Sequence, residues 1–431
     1  MRPWLEEEPL VIERGEGAVL YDTAGRAYLD GVSSLWCNVH GHRHPHIDAA
    51  VRAQLDRIAH STLLGLASPP SIELARRLVQ WAPPGLTRVF YSDNGATAVE
   101  VALKIAFQYW RLVGQPRRVK FVALGEAYHG DTLGAVSVGG IPLFREIFGG
   151  LTFEALFCPS PHPYRFEGTP PECCRERLAQ MERLLRERGE EVAAIVLEPL
   201  VQGAAGIIVH PAGFLRGAAE LARRYRVLLI ADEVATGFGK TGTMFACAQE
   251  GVAPDLMCLA KGLTGGYLPL AATLVSERVF EPFLSERRGE TTFYHGHTYT
   301  GNALGCAAAL ANLEVFERER TLEQLAPKIK LMDERLREAA RLAWVGDVRR
   351  RGVMTGIELV ADQGAKRSFD PARRVGARLC QALRRRGVLL RPLGDVVVVM
   401  PPLAITLEQL DRLLAAVTEG LREDLPRLLR E

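Results

Sequence analysis

Short apolar runs separated by amphipathic stretches dominate the middle of this chain. Runs of about four to six apolar residues between glycine or polar residues are typical of buried parallel strands. They are centred on 88–92, 119–124, 192–197, 227–231 and 256–260. Apolar residues at helical spacing accompany them at 46–60, 71–81, 98–111, 172–188 and 214–225. This alternation from about 88 to 273 predicts an α/β fold with a doubly wound, mostly parallel sheet.

The two flanks of this region alternate on a smaller scale. In Val11–Leu29, apolar and polar residues alternate on both sides of the turn signal Asp22–Gly25, which predicts a short β meander. After helical patterns at 277–288 and 303–342, short strands and helices are expected at 353–359, 371–386, 388–390, 396–400 and 407–422. These predict a second, smaller α/β domain. The stretch 139–171 is rich in Pro, Gly and aromatic residues and is expected to be an irregular lid or part of an interface.

Composition and charge exclude several classes of protein. Of the 431 residues, 48% are apolar and 24% charged, as in an ordinary globular protein. The net charge of +2 predicts neither a nucleic-acid nor a membrane partner, and no apolar run is long enough to span a bilayer. The acidic segment 1–15 lacks the apolar core of a signal peptide, which predicts a cytoplasmic location. The eight cysteines form no CxxC pair, so buried thiols are expected.

Two of the apolar runs end in a charged residue. Asp232 follows 227–231, and Lys261 follows 256–260. A charge at the end of a buried strand is costly to desolvate unless it is paired. Because open α/β sheets bind ligands at the carboxyl ends of their strands, these opposite charges predict a cofactor between them. The chain has only seven lysines, which narrows the choice of a residue that could bond covalently to such a cofactor.

Two loops that follow predicted strands are candidates for holding this cofactor. Asp93–Thr97 leads into a helix, where unpaired N–H groups and the helix dipole favour a phosphate. The same residues would also make an ordinary helix cap, with Asn94 or Thr97 as the capping residue. In the loop 125–132, Tyr128 beside His129 could stack on a flat ring or could simply form a turn. The pattern alone leaves both questions open.

Other patterns that resemble ligand sites are disfavoured. Histidines at positions 40, 42, 44 and 46 could bind zinc from one face of a strand, but the glycine and proline between them favour a loop with ordinary polar contacts. The segment 237–242 matches GxGxxG, yet no helix is expected to open on it. Gly239–Thr241 resembles a P-loop whose first glycine is replaced by Val234. A nucleotide-binding enzyme is therefore disfavoured, and a purely structural protein would leave Asp232 and Lys261 unexplained.

Longer motifs follow one another along nearly the whole chain. They are WCNVHGH, YSDNGATAVEVALK, AYHGDTLGAVSVG, EPLVQGAAG, ADEVATGFGKTG, LAKGLTGG and HGHTYTGNALGCAAA. In type and order they resemble the class III (subgroup II) aminotransferases of PLP fold type I. The resemblance implies pyridoxal 5'-phosphate (PLP) as cofactor and a large domain whose mostly parallel sheet is flanked by helices. It also implies a smaller α/β domain from both termini, with boundaries at 1–45 and 306–431 around a PLP-binding domain at 46–305.

The same resemblance implies a role for each candidate site residue. Lys261 would bond covalently to PLP and later move a proton, and Asp232 would pair with the ring nitrogen. Tyr128 would stack on the ring. Further cofactor contacts are implied for Asn94, Gly95, Ala96, His129 and Glu198, and for Thr298 of the partner subunit. The active site would then lie at the interface of a homodimer, and no metal is implied.

Within that family, one branch is more specifically similar. SSLWCNVHGH, FQYW, YHGDTLGA and LLRPLGDVVVVMPPL resemble the branch that converts 8-amino-7-oxononanoate into 7,8-diaminononanoate for biotin biosynthesis. Its amino donor is S-adenosylmethionine, or lysine in some members, and Ala204 in QGAAG argues against glutamate. Trp36, Gly296 and Arg391 would bind the substrates, Arg391 through a carboxylate. The alternatives are an ω-aminotransferase for another amine and, for Arg391, an ordinary surface arginine.

Overall fold

A seven-stranded sheet runs through the middle of the protein. The computed structural model describes residues 9–284, 286 and 288–430, without the side chain of residue 288. Residues 1–8 lie outside these ranges. They include part of the acidic segment on which the predicted cytoplasmic location depends, and they begin the expected small domain.

The strands are numbered in chain order. They are β1 Ile12–Glu16, β2 Val19–Asp22, β3 Ala27–Asp30, β4 Leu86–Ser92, β5 Lys120–Leu124, β6 Leu156–Cys158, β7 Val192–Leu197, β8 Val201–Gln202, β9 Ile208–Val209, β10 Leu228–Asp232, β11 Leu256–Leu259, β12 Ala271–Ser276, β13 Val345–Arg351, β14 Met354–Leu359, β15 Val388–Leu389, β16 Arg391–Leu393 and β17 Val396–Val399.

The helices surround these strands and are numbered in the same way. They are α1 Pro45–Leu55, α2 Pro69–Trp81, α3 Gly95–Leu112, α4 Leu133–Ser137, α5 Pro142–Phe148, α6 Pro170–Arg188, α7 Phe214–Arg224, α8 Glu277–Phe280, α9 Arg288–Thr291, α10 Ala303–Arg318, α11 Leu325–Ala339, α12 Val375–Leu383, α13 Leu407–Glu419 and α14 Leu425–Arg430.

The central sheet has the strand order β4-β12-β11-β10-β7-β5-β6. Neighbouring strands are parallel except at β12, which runs antiparallel to both β11 and β4. The predicted mostly parallel sheet is therefore confirmed, with one reversed strand. Asp232 in β10 lies opposite Cys258 in β11, so Asp232 and Lys261 leave the sheet at the same edge.

The buried strands divide the apolar core into two layers. In β10, Leu229 and Ala231 belong to the apolar cluster on one face of the sheet, and Leu228 and Ile230 belong to the cluster on the other face. Because both faces of the central sheet are covered, its strands are apolar throughout and do not alternate with polar residues.

Among the described residues, no helix is both long enough and apolar enough to cross a membrane.

Two smaller sheets combine segments from the two flanks of the chain. β15 pairs in parallel with β3, with Val388 opposite Leu29, and thereby joins β1 and β2. β13, β14, β17 and β16 form an antiparallel sheet in that order. We propose that these two sheets form the small domain expected at 1–45 and 306–431, because together they draw on both flanks.

The structure differs from the predicted elements in several segments. The stretch 139–171, predicted to be irregular, contains α5 and β6, which are too short to show a clear period. The helical pattern at 277–288 is broken after α8, where Pro282 removes a backbone donor. The helical region 303–342 contains two helices, α10 and α11. β13 is absent from the predicted strands because its sequence, VGDVRRR, is polar.

Candidate active site

The carboxyl ends of β10 and β11 open onto a cavity of about 670 Å³. The following nine of the predicted site residues line it: Trp36, Asn94, Gly95, Ala96, Tyr128, His129, Glu198, Asp232 and Lys261. They come from six separate segments of the chain, so only the fold brings them together. We call this space the inner cavity.

The first turn of α3 forms one wall of the inner cavity. Asn94 is the N-cap residue, and its side-chain oxygen accepts a hydrogen bond from the Thr97 N–H at 3.1 Å. At Gly95 the backbone lies so close to Val234 that a Cβ would stand 2.6 Å from a Val234 methyl carbon. A Cβ at Gly130 would likewise overlap that of Ala96. The helix start is thus capped and also lines the cavity, so the two interpretations of this loop are compatible.

Asp232 and His129 form a buried pair in the wall of the inner cavity. The His129 Nδ1 lies 2.7 Å from the Asp232 Oδ2, and the other carboxylate oxygen accepts the Val234 N–H at 3.1 Å. Burial disfavours the charged form of His129, but the hydrogen bond with Asp232 outweighs it and raises the pKa of the imidazole. The carboxylate therefore fixes the orientation of the ring, whose Nε2 has no hydrogen-bond partner among the described residues.

Glu198 is a second buried carboxyl group in the same wall. Its Oε1 accepts the Tyr128 N–H at 3.1 Å, and its Oε2 accepts the Gly203 N–H at 2.7 Å. Burial raises the pKa of Glu198 to about 7. The Tyr128 hydroxyl donates to Asp131 at 2.8 Å, and burial raises the pKa of this phenol as well. Tyr128 is thus held at both its backbone and its hydroxyl, which fixes the ring beside the cavity.

Lys261 reaches the cavity from a strained turn after β11. Its φ is +45°, in the left-handed region that few non-glycine residues adopt. Desolvation lowers the pKa of the amine, although the charges of Asp232 and Glu198 oppose the shift. The Nζ lies 5.3 Å from the centroid of the Trp36 ring. The amine is therefore more readily deprotonated than an exposed lysine and lies beside an aromatic wall.

A buried lysine supports that aromatic wall, and sequence reasoning missed it. Lys240 belongs to the glycine-rich segment 237–242, and its Nζ donates to the Ser33 Oγ at 2.8 Å and to the Asn38 carbonyl at 2.9 Å. Burial lowers the pKa of Lys240 to about 8. Between Ser33 and Asn38 the backbone turns sharply, with Ser33, Ser34 and Trp36 all at positive φ. Lys240 thus fastens the turn that presents Trp36, which no local pattern indicates.

A second cavity of about 620 Å³ adjoins the first and shares Trp36, Tyr128 and Lys261 with it. We call it the outer cavity. Its walls also include apolar residues, Leu35, Ile141, Phe144 and Leu393, together with Arg391 and Glu126. Arg391, predicted to bind a substrate carboxylate, therefore shares this space with Lys261. Glu126 was not among the predicted site residues, although it stands directly before the AYHGD motif.

Two predicted site residues lie outside both cavities of this chain. Gly296 and Thr298 belong to the exposed loop between α9 and α10, and neither lines the inner or the outer cavity. The Thr298 carbonyl lies 2.8 Å from the His60 Nε2, and His297 lies 3.0 Å from an oxygen of Asp93. This chain alone therefore does not bring Gly296 and Thr298 to the other predicted site residues.

The four histidines at alternate positions bind different partners. His40 contacts the Asn312 carbonyl at 3.1 Å, His42 contacts Asp30 at 3.0 Å, His44 contacts Glu319 at 2.8 Å and His46 contacts Glu314 at 2.6 Å. In the described ranges, no three His, Cys, Asp or Glu side chains are arranged to hold a metal ion.

The family known as aminotransferase class III matches residues 2–421. The chain belongs to the class III aminotransferases. One of its relatives is the adenosylmethionine-8-amino-7-oxononanoate aminotransferase of Nitratidesulfovibrio vulgaris. The two chains are 59% identical over 421 residues, and this match covers 97% of this chain and 78% of the relative. The family predicted from the motifs is thereby confirmed.

Solved structures of related enzymes share the fold of this aminotransferase. The adenosylmethionine-8-amino-7-oxononanoate aminotransferase of Methanocaldococcus jannaschii superimposes with a TM-score of 0.93 at 46% identity, covering 98% of this chain and 95% of that one. An amine transaminase from an uncultivated Pseudomonas species, in its PLP-bound form, gives 0.93 at 37% identity, covering 97% and 96%. The predicted fold class is therefore confirmed along nearly the full length.

The inner cavity of this aminotransferase fits PLP, the cofactor of the family. The helix start at Gly95 suits a phosphate, and Tyr128 offers an aromatic ring. The buried Asp232 suits a protonated ring nitrogen, since a buried carboxylate needs a cationic or hydrogen-bonding partner. The amine of Lys261 lies in the same cavity as these groups. The prediction of PLP as cofactor is confirmed for the family, and the donor set of this chain matches it.

Proposed function

We propose that this aminotransferase converts 8-amino-7-oxononanoate into 7,8-diaminononanoate, a step of biotin biosynthesis, with S-adenosylmethionine as amino donor. The outer cavity carries the proposal. It offers apolar walls between Lys261 and Arg391, as a straight aliphatic chain with a ketone near one end and a carboxylate at the other requires. The names of the relatives from N. vulgaris and M. jannaschii support it.

We assign the cofactor contacts of this chain as follows. PLP, when bound, supplies an electrophilic carbon and an electron sink for amino transfer. Asp232, oriented by its bond with His129, would hold the ring nitrogen in its protonated form. The N–H groups of Gly95 and Ala96 would hold the phosphate, and Tyr128 would cover one face of the ring. Asn94 caps the helix that supplies those N–H groups, and Glu198 fixes the backbone of Tyr128.

Lys261 would bond covalently to PLP and carry the proton that amino transfer requires. A neutral amine is needed for both tasks, and the lowered pKa of Lys261 increases its neutral fraction near pH 7. Trp36 beside the Nζ would form one wall for the aliphatic part of the acceptor. The Arg391 guanidinium would bind the acceptor carboxylate in two parallel hydrogen bonds.

Two alternatives concern the donor and the acceptor. Lysine could replace S-adenosylmethionine as the amino donor. Ala204 stands at the position where an acidic residue would favour glutamate as donor, and this alanine is compatible with either of the other two donors. An ω-aminotransferase for another amine is supported by the likeness to the amine transaminase, whose backbone superimposes equally well. Arg391 distinguishes this second alternative, because a simple amine has no carboxylate to bind.

We also propose a homodimer with the active site at the subunit interface. Gly296 and Thr298 lie away from the cavities of their own chain, so Thr298 of the partner subunit would complete the phosphate site. Several large apolar side chains are exposed at 61–66%, and a second subunit would cover them: Leu64, Leu66, Leu143, Ile147 and Leu151.

We further propose a cytoplasmic location, since all eight cysteines are free thiols.

Separate half-reactions test the proposed function. The PLP-loaded enzyme is mixed with S-adenosylmethionine, lysine or glutamate, and the loss of visible absorbance is followed. The aminated enzyme is then mixed with 8-amino-7-oxononanoate, and recovery of the absorbance is followed. We expect loss with S-adenosylmethionine and recovery with the oxononanoate, and loss with lysine alone would favour the lysine alternative. Loss with glutamate alone, or no recovery with the oxononanoate, would contradict the proposal.

A further inference from the structure

The outer cavity contains a carboxylate to which the mechanism above gives no role. Glu126 follows β5 by two positions and lines this cavity together with Arg391 and Lys261. Its φ is +61°, a left-handed conformation that is energetically unfavourable for residues with a Cβ. Its N–H donates to the Gly140 carbonyl at 3.0 Å, which fixes the backbone in this conformation. Such a strained residue beside an active site is a candidate for a functional role.

The surroundings of Glu126 keep its carboxylate charged and accessible. His162 is buried behind it, with its Nδ1 3.8 Å from the Glu126 Oε2, and this neighbour lowers the pKa of Glu126 although burial opposes the shift. The glutamate side chain is 48% exposed. Asp131, the other carboxylate of the outer cavity, instead accepts the Tyr128 hydroxyl. Glu126 is therefore the carboxylate of this cavity that Tyr128 does not engage, and its half-exposed oxygens can bind a ligand.

A negative charge at this place favours some amino donors over others. S-adenosylmethionine carries a sulfonium cation in addition to the amine it transfers, and lysine carries a second ammonium group. Glutamate carries a second carboxylate instead, which Glu126 would repel. The acceptor places its own carboxylate near Arg391 in the other half-reaction, so one cavity can serve both substrates in turn.

We infer that Glu126 determines donor specificity by selecting amino donors that carry a second positive charge. The inference rests on the function proposed above, because it takes the outer cavity as the donor site. A half-exposed ion pair changes affinity by about twofold to fivefold. Removing the charge of Glu126 should therefore weaken the binding of cationic donors by about that factor and leave neutral analogues unaffected.

Binding to the aminated enzyme tests this inference without turnover, since that form cannot accept a second amine. Dissociation constants are measured by calorimetry for two matched pairs. S-adenosylmethionine and S-adenosylhomocysteine differ by the sulfonium charge, and lysine and 6-aminohexanoate differ by one ammonium group. We expect the wild-type enzyme to prefer the cationic member of at least one pair by about twofold to fivefold, and Glu126→Gln to abolish that preference.

Two control variants make the result specific. Glu187→Gln removes the same charge from an exposed position of α6 and should keep the wild-type preference, and Glu126→Asp should restore part of it. A preference that survives in Glu126→Gln, or that is absent from the wild type in both pairs, would overturn the inference. The oxononanoate half-reaction is measured on the same preparations. Its absence in the wild type would refute the proposed function, while the charge preference would still be judged from binding.

Discussion

Glu198 is an acid that is only 4% exposed at the centre of the active site, and burial raises its pKa to about 7. Between the ordinary pKa of a glutamate and this value, the folded cofactor-free enzyme binds more protons than the unfolded chain. The contribution of Glu198 to the free energy of unfolding should therefore fall as the pH rises from about 4.5 to about 7. Thermal unfolding of the apoenzyme at several pH values measures this contribution when the wild type is compared with a variant that lacks the carboxyl group.

Glu198→Gln should reduce that pH dependence, because an amide does not titrate. His129, whose pKa is also raised, contributes in the same direction, so part of the slope should persist. An unchanged slope in the variant would mean that the protonation of Glu198 is the same in the folded and the unfolded enzyme.

Lys261 is proposed as the covalent attachment point of PLP. Lys261→Ala should abolish the cofactor mass that borohydride reduction fixes to the protein, because no other amine lies beside Asp232 and Tyr128 in the described wall of the inner cavity. Intact-protein mass spectrometry measures this directly. Lys104→Ala, an exposed lysine on α3, serves as the control. Full retention of the fixed cofactor in Lys261→Ala would contradict the assignment.

Arg391 is proposed to bind the acceptor carboxylate. Arg391→Ala should raise the apparent dissociation constant of 8-amino-7-oxononanoate by about tenfold to a hundredfold, since a charge-assisted hydrogen bond is lost. The half-reaction with S-adenosylmethionine should change much less. Stopped-flow absorbance gives both values, and Arg391→Lys should fall between the wild type and alanine. Equal losses in the two half-reactions would point to a general disturbance of the cavity.

The glycine-rich loop 237–242 acts as a packing element, which explains its resemblance to nucleotide motifs. Its backbone lies against the turn between β13 and β14, where a Cβ at Gly352 would overlap the Lys240 carbonyl and the Thr241 backbone. The Val353 N–H also donates to the Lys240 carbonyl at 2.9 Å. A glycine thus occurs at position 352 because two backbones approach closely there, and Lys240 is held in place for its contact with Ser33.

Gly352→Ala should separate these two elements and lower the stability by about 3 kcal/mol. Gly394→Ala is a matched control, since Gly394 also has a positive φ but nothing lies near its would-be Cβ. That variant should cost only about 1 kcal/mol of backbone strain. Thermal or urea unfolding compares the two variants, and equal losses would show that packing at Gly352 contributes nothing beyond strain.

Sequence patterns were informative where one strand or one motif carries the information. The apolar runs predicted β10 and β11, and the charges at their ends predicted the residues that meet in the inner cavity. The partners of Ser33, in the turn that presents Trp36, could not be predicted, because Lys240 and Met400 are distant in sequence and touch this turn only after folding. β13 was missed since its sequence, VGDVRRR, is polar, and one of its two buried positions is an arginine, Arg349. Glu126 looks like an ordinary loop residue until its φ and its cavity are known.

The assembled enzyme is expected to be a dimer held together by the exposed apolar residues. Leu64→Asp combined with Leu66→Asp should yield monomers and abolish activity, because both side chains are among the most exposed leucines described and a buried charge there is costly. Sedimentation velocity gives the mass, and the same samples give the activity. Leu407→Asp, at an exposed leucine of α13, should remain a fully active dimer. A dimeric, active double variant would contradict the proposed interface.

The pairing of β3 with β15 has a consequence for biosynthesis. The turn that presents Trp36 follows β3, and the Ser33 hydroxyl donates to the Met400 carbonyl at 2.6 Å. On the ribosome, residues 30–40 emerge long before residues 388–400. The turn that presents Trp36 can therefore gain these supporting contacts only after almost the whole chain has been translated. A nascent or proteolysed fragment ending near residue 385 would retain Asp232 and Lys261 but lack the support of this turn. Maturation of the enzyme is therefore a late event, and a truncated product should not act as a smaller version of the whole.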